Sequence, residues 1–508
     1  MWKFKASKYK NTTPRIPKKE DTITDLPIGN LSVTNNAINS SSKYLSFLVD
    51  GDGNRLAVLP LNDRGRHGRG ELNIICPHQE QVNDFTFLPY HPGKLVTCSR
   101  DDDIKIWDCE AFLGGQVKHC SEPVASLTME NGRFIEAMAA HHSADSILGV
   151  ACDNGGLIAN IETGQAIIEL DNIFEDKSMA LNWSEDGSLL SISGNKGKNV
   201  GIFDPRSGTA PVAYFGSHDG FGRESRLLWA EGKFISSGFT NKRVQEIIVY
   251  DQRSWAKSIS KVPFAASTGI LIPLYDEDTK LLALAGKGSS KLILTEILPR
   301  DPYVSGVTEE PLTEQTVGAC FINKKCCNVM DGEVQRFHQL TKTSIQPIPL
   351  IVPRRSYRDF HFDLYPDTFG GVAGCGPAEW AEGSMKKPDL VSLAPEGSVV
   401  GQSSRNISPT SSCESAKVSP TSTGGNSPIQ GKSAAAVGEE IHNEPSDKAP
   451  LVGRNVENEA IKNSILKAKS EAINSSITPT IMRIDFDYDT CKLVKVLYLD
   501  ENGELIAL

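Results

Sequence analysis

The stretch "HQEQVNDFTFLPYHPGKLVTCSRDDDIKIWDCE" (His78–Glu110) decides the fold. Its segments "LVTCS" and "IKIWD" are short β-branched and aromatic runs separated by the polar turn "SRDDD", a pattern of two strands and a tight connection. His78, Asp84, Ser99 and Trp107 follow in the order of a WD-type blade. In such a blade a His, a turn Asp, a Ser and a Trp can form a hydrogen-bonded chain between inner and outer strands.

The ending of this unit is an apolar run closed by an apolar or aromatic residue and a polar one. It recurs at Leu59, Trp107, Ile161, Phe203, Tyr250, Thr295 and Phe337, at intervals of 48, 54, 42, 47, 45 and 42 residues. A four-stranded propeller blade repeats at about 40–45 residues, so seven marks predict an all-β, seven-bladed WD-repeat β-propeller over residues 1–345. The turn signals "DGDGN" (Asp50–Asn54), "SEDGS" (Ser184–Ser188), "DEDT" (Asp276–Thr279) and "MDGE" (Met330–Glu333) interrupt strand pairs as hairpins require. The second blade alone shows the full polar set. A ring of blades must close, commonly with an N-terminal strand added to the last blade, and "WKFKASKY" (Trp2–Tyr9) alternates as such a strand would.

Net charge is −10, which argues against general nucleic-acid binding. The charge is uneven. Residues 1–20 hold Lys3, Lys5, Lys8, Lys10, Arg15, Lys18 and Lys19 against the single acid Glu20, and "RGRHGRG" adds Arg64, Arg66 and Arg69. Such patches suit an acidic protein surface, an acidic membrane surface bearing phosphoinositide headgroups, or nucleic acid; equally, they are a solvated arm and loop. The 11 cysteines show no CxxC spacing, and there is neither an N-terminal apolar h-region nor an 18-residue apolar run. These features fit a soluble chain of a reducing compartment.

Chemistry-bearing motifs are missing. "AGKGSS" (Ala285–Ser290) lacks the GxxxxGK[ST] spacing of a phosphate loop, His141-His142 lacks a third ligand and is expected in a surface turn, and no G-x-S-x-G or HExxH occurs. The expectation is a protein that is not an enzyme and carries no cofactor and no metal. Trp183, Trp229 and Trp255 read as blade-packing aromatics.

Four further segments name a family. "SKYK" near the start, "SSGFTNKRVQEIIVYD" (Ser236–Asp251), "LLALAGKGSSKLIL" (Leu281–Leu294) and "VPRRSYRDFHFDLYPDT" (Val352–Thr368) resemble, in order, motifs of the coronins. The resemblance implies a seven-bladed propeller that binds filamentous actin and regulates its turnover. It also implies that residues 346–395 form an extension packed on the propeller. In "DFHFDLYPDT", Phe360, Phe362, Leu364 and Tyr365 would pack, and Asp363 and Asp367 would cap or pair with Arg354 or Arg355. "NEAIKNSILKAKSEAI" (Asn458–Ile473) is too short for sustained heptads, so no coiled-coil trimer is expected. The chain looks closer to the long tandem-propeller coronins, here with a single propeller. That subgroup links actin with microtubules, cell polarity, cytokinesis and Golgi-derived trafficking, implying a cytoplasmic protein of the cytoskeleton and cortex, or of Golgi or vesicles. Many coronins carry an Asp-Ile-Arg whose Arg contributes to the actin contact; the nearest stretch here is "DLPIG", with Pro27 in the place of that Arg. Two functions follow: an actin-filament regulator working through the basic arm, or a trafficking scaffold whose propeller binds partner peptides.

From about Pro395 the composition turns to Ser, Thr, Pro and Gly. Such a segment has too little to bury, so a disordered linker is expected at 396–477. It contains three Ser-Pro steps, at Ser408, Ser419 and Ser427, as candidate phosphorylation sites. Residues 478–508 alternate again, with an "ENGE" turn, and read as a short strand-like terminal segment.

Overall fold

The computed structural model describes residues 7–29, 35–68, 70–99, 103–115, 118–128, 134–220, 225–267, 269–396, and three strands within 480–507. Contacts divide the chain into two compact units, 1–405 and 406–508.

The first unit is a seven-bladed propeller. Blade 1 is built from Ile38–Ser40, Tyr44–Leu48, Leu56–Pro60 and Asn73–Ile75, with His119–Cys120 added in parallel outside. Blade 2 takes Val82–Phe87, Lys94–Ser99, Asp103–Asp108 and Ala125–Thr128. Blades 3 to 6 begin at Ile135, Ala180, Arg226 and Leu271 and are four-stranded antiparallel sheets in chain order. Blade 7 contributes Gly318–Phe321, Glu333–Leu340 and Ser344–Ile351. The first strand of each blade touches the first strand of the next, and that of blade 7 returns to blade 1, so the ring is closed.

Six of the seven sequence marks fall on, or directly after, the third strand of their blade. The last, Phe337, falls on the second strand of blade 7. The third strand there is "SIQPIPLI" (Ser344–Ile351), which also carries the propeller past residue 345. Its prolines 347 and 349 hide it from a strand reading, because proline offers no ladder N–H and is rare inside sheets.

The same prolines shape the closure. Of the expected closing strand Trp2–Tyr9, residues 7–9 are not in a strand, and residues 1–6 lie outside the described residues. Among the described residues, Thr13–Pro14 pairs with Leu350 and Ile351, and Ile23–Thr24 pairs with Ser344 and Ile345. Between these two short pairings, opposite Pro347 and Pro349, a continuous outer strand would find two amide donors missing. There the arm leaves the sheet, turns through a short 3-10 segment at Lys19–Asp21, and rejoins it. Ile23–Thr24 also pairs in parallel with Gly65–Arg66 from blade 1, so the seam is held from both sides.

The core is a series of inter-blade clusters. Val96, Ile104 and Ile106 of blade 2 meet Met138, Leu148 and Val150 of blade 3. Side chains clamp neighbouring inner strands as well: Asn35 Nδ2 donates to Asn83 O (2.7 Å), Asn83 Nδ2 to Ile135 O (2.6 Å) and Asn182 Nδ2 to Leu227 O (3.0 Å).

After Val352 the chain crosses the propeller face that carries the loops between first and second strands. Phe360, Leu364 and Tyr365 bury into the cluster of blades 6 and 7, with Phe362 packed against it. The Tyr365 hydroxyl donates to Glu333 O (3.0 Å), and Asp363 pairs with Arg354 (2.5 Å). Phe369 then meets Tyr90 of blade 2, and Cys375 bridges to Ala144 of blade 3. On a short helix, Pro377–Ala381, Trp380 is 1% exposed between blades 3 and 4.

The second unit contains a three-stranded antiparallel sheet of Thr480–Asp487, Lys492–Leu499 and Leu505–Ala507. Residues 397–479, which include Ser408, Ser419, Ser427 and the stretch 458–473, lie outside the described residues.

Candidate functional site

The parallel pairing of Ile23–Thr24 with Gly65–Arg66 brings the two basic clusters of the sequence to one edge of the propeller. Lys8 Nζ donates to the Asp363 carbonyl (2.9 Å). Lys18 pairs with Glu20 (3.4 Å), Arg64 with Asp21, and Arg66 with Asp25. Lys10, Arg15 and Lys19 are exposed and have no ion pair among the described residues. Lys5 and Arg69 lie outside the described residues.

Where the arm leaves blade 7, a cleft of about 350 Å³ opens. Arg15, Lys18, Asp21 and Arg64 line one side; Glu333, Arg336, Pro347 and Pro349 line the other. Arg336 is held by Glu333 in a two-pronged contact, 2.7 Å at each nitrogen. The cleft is therefore mixed in charge and, apart from Arg15, internally paired.

The blade-2 chain differs from its sequence reading in two members. Thr97 Oγ1 accepts the Trp107 indole N–H (3.1 Å) and lies 2.9 Å from His78 Nε2, so Thr97 is the linking hydroxyl. Ser99, two residues on and therefore on the same strand face, donates to Gln81 O (2.7 Å). Asp84 is not in a turn but in the inner strand, where it accepts the amides of Phe85 (2.9 Å) and Met138 (2.9 Å) and ties blade 2 to blade 3. Burial raises its carboxyl to about 6, against the opposing amides and the Arg226 charge.

Blade 5 holds a second polar chain that the sequence reading missed. His218 lies 2.9 Å from Ser236 Oγ and 3.0 Å from Glu246 Oε1. The signal was "SHDG" (Ser217–Gly220), a His just ahead of an inner strand as His78 is; Tyr250 in place of Trp at the end of the third strand concealed it. A Ser–His–Glu relay is the geometry of a nucleophile with its base. Ser236, however, is 0% exposed and has no surface to offer a substrate. The chain is a structural tie.

His141 is not in a surface turn. It is 1% exposed and sits edge-on to Trp183 and Trp380. Its Nδ1 accepts the amides of Ser143 (3.1 Å) and Ala144 (2.8 Å), which places the ring proton on Nε2, 2.9 Å from Gly187 O. Burial lowers its pKa to about 4. Gly187 has φ +71, and a Cβ there would meet the imidazole at 2.2 Å, so the "SEDGS" turn requires glycine twice over.

Under the extension lies a cavity of about 690 Å³ lined by loops of blades 2 to 7 and by Asp367–Phe369. Its charges cross-link those loops. Glu185 accepts the amides of Glu231 and Gly232 (2.8 Å each), Lys280 pairs with Glu231 (2.6 Å), and Lys324 meets Asp276 (2.6 Å) and Asp278 (3.0 Å). Burial raises the Asp276 carboxyl, opposed by Lys324. Among the described residues no cluster of three metal-ligating side chains occurs.

Comparison with known proteins agrees with this architecture. Residues 2–66 match a domain of unknown function, DUF1899, and residues 345–388 match a type of WD40 repeat. The chain is 33% identical over 397 residues to Coronin-7 of Bos taurus and of Homo sapiens, covering 78% of this chain and 42% of each relative. It is 28% identical over 391 residues to Coronin-A of Dictyostelium discoideum, covering 77% of this chain and 86% of that one. The crystal structure of the WD40 domain from Toxoplasma gondii coronin superposes with a TM-score of 0.69 at 23% identity, over 76% of this chain and 98% of that one. The chain thus spans less than half the length of the Coronin-7 proteins it matches, yet aligns with most of Coronin-A; with the DUF1899 match across the closing arm, the chain belongs to the coronin family.

Proposed function

We propose that this protein binds actin filaments as a cytoskeletal regulator, through the basic arm and without enzymatic chemistry. The observation that carries the reading is the arm itself. It is pinned on both sides of its bulge by blade 7, yet leaves Lys10, Arg15 and Lys19 exposed and without ion pairs among the described residues. An acidic filament surface is the matching partner, and a cytoplasmic, cortical location goes with it. Exposed charge pairs are screened over about 8 Å at physiological ionic strength, so binding should weaken with salt. The test is co-sedimentation of the 508-residue chain with filaments at low and physiological salt, beside K8E/K10E/K18E/K19E. Salt-sensitive pelleting lost in the reversed variant supports the reading; equal pelleting of both overturns it.

Pro27 favours a second reading, a trafficking scaffold that recognises partner peptides and reaches the cytoskeleton, microtubules or Golgi membranes through them. Its carbonyl accepts the Asp50 amide (2.8 Å), so the backbone here is tied to blade 1 and no guanidinium projects from it. Pull-downs rich in coat proteins but free of actin would favour this alternative. Phosphate on Ser408, Ser419 or Ser427 would add about two negative charges per site and weaken an electrostatic contact; intact mass after treatment with a proline-directed kinase tests it.

A further inference from the structure

We infer that the surface for an acidic protein partner is centred where the arm meets the loop 353–359, and that Arg355 and Arg358 are part of it. This rests on the reading of the arm as a partner-binding element and divides the arm into two ends with different roles.

At the blade-1 end, the described cations Lys18, Lys19, Arg64 and Arg66 are interleaved with Glu20, Asp21, Asp25 and Asp63. Three of those four cations are in ion pairs with Glu20, Asp21 and Asp25, and Asp63 faces His67 at 3.3 Å. An incoming carboxylate there must displace one already present, so little attraction remains.

The other end is unbalanced. Asp363 is the hub: its carbonyl takes Lys8 Nζ at 2.9 Å and its carboxylate takes Arg354 at 2.5 Å. Tyr9, next to Lys8, donates to Leu364 O at 2.8 Å. These bonds hold the arm against the extension, so the two joined segments carry Lys8, Lys10, Arg354, Arg355 and Arg358 against the exposed carboxylates Asp359 and Asp363, while the further carboxylate beside the arm, Glu296, is buried and faces Ser7. Arg355 and Arg358 are exposed and have no ion pair among the described residues. The loop is also preorganised, since the Tyr357 hydroxyl accepts the Arg354 amide (3.0 Å) and the Ser356 carbonyl lies 2.7 Å from His361 Nε2. Guanidinium groups on a fixed loop favour carboxylates, which they can bind with two parallel bonds. Tyr357, 40% exposed beside them, adds the rigid amphipathic side chain typical of protein interfaces. A lipid surface would need no such fixed geometry.

The test compares two triple variants of the full chain, K10Q/R355Q/R358Q and K18Q/R64Q/R66Q, each checked for unchanged thermal unfolding. Binding is read twice, by anisotropy of labelled poly-L-glutamate and by filament co-sedimentation. An exposed charge contact is worth a few-fold in affinity, so the first triple should weaken polyglutamate binding about tenfold and flatten its salt dependence, while the second changes it less than about threefold. Equal losses, or a loss confined to the second triple, overturn the inference. Binding to phosphatidylserine vesicles but not to polyglutamate overturns the assignment to a protein partner. If polyglutamate binding follows the predicted order but filaments do not pellet, the junction stands and the filament reading falls.

Discussion

At the residue scale, the most sensitive groups are buried histidines kept neutral by the fold. His141 titrates near 4 instead of 6.5, and His338, 3% exposed, near 3; burial is the leading cause for both. Between pH 4 and 6.5 the unfolded chain binds a proton on His141 that the folded chain refuses. Stability therefore rises with pH through that window and is lost on acidification, by up to ~3 kcal/mol for this residue. His338 acts in the same direction. Asp84 opposes them between 3.8 and about 6, because there the folded chain holds a proton that the unfolded chain has released. Urea midpoints taken from pH 7 to 4 should fall more steeply for the wild type than for His141→Asn, and parallel profiles would show that the His141 ring is solvated. Thr97 and Ser99 offer a second contrast. Thr97→Val removes the oxygen shared by His78 and Trp107 and should cost ~2–4 kcal/mol, whereas Ser99→Ala deletes one hydrogen bond and should cost ~1 kcal/mol. Equal shifts in urea midpoint would mean that Thr97 does not link the two rings.

At the element scale, two segments outside the repeat hold the ring together. The extension carries Trp380, wedged against His141 and Trp183 with ring centroids 5.7 and 6.0 Å away, and Arg206 lies 5.9 Å over its ring. Trp380→Ala should cost ~3–5 kcal/mol and free the segment after Val352 to proteases; limited proteolysis followed by mass measurement would detect the new cut sites. The arm is the other brace. Removing residues 1–24 strips the outer pairings from Ser344–Ile351 and leaves an open sheet edge, a template for association. Size-exclusion chromatography of the truncated chain should show oligomers or aggregate; a monomer with unchanged melting would show that Pro347 and Pro349 protect the edge unaided.

At the scale of the whole molecule, the propeller is a ring, and the edge proposed to bind a partner lies at its seam. The seam is where blade 7 borrows strands from the N-terminus, and that borrowing sets basic residues from four parts of the chain near one another. The repeat was legible in the sequence because each blade must bury a third strand against its neighbours. That demand leaves an apolar run with a polar end in blades 1 to 6 whether or not the polar chain survives. Phe337 marked the wrong strand of blade 7, since the true third strand carries prolines tolerated only beside an interrupted partner. His141 was unreadable for a related reason: an isolated histidine pair carries no sign of the Trp380 that covers it from more than two hundred residues away.

The sequence by itself determined the seven-fold repeat, the all-β class, the family and the presence of two basic clusters, because periodic burial and local charge are written along the chain. Tertiary structure alone decided which strand closes the ring, which hydroxyl links His78 to Trp107, and which cations are already spent. Those outcomes depend on pairing between residues far apart in sequence. Arg64 and Arg66 are as basic as Arg355 and Arg358, but the fold sets Asp21 and Asp25 against the first pair and leaves the second facing solvent.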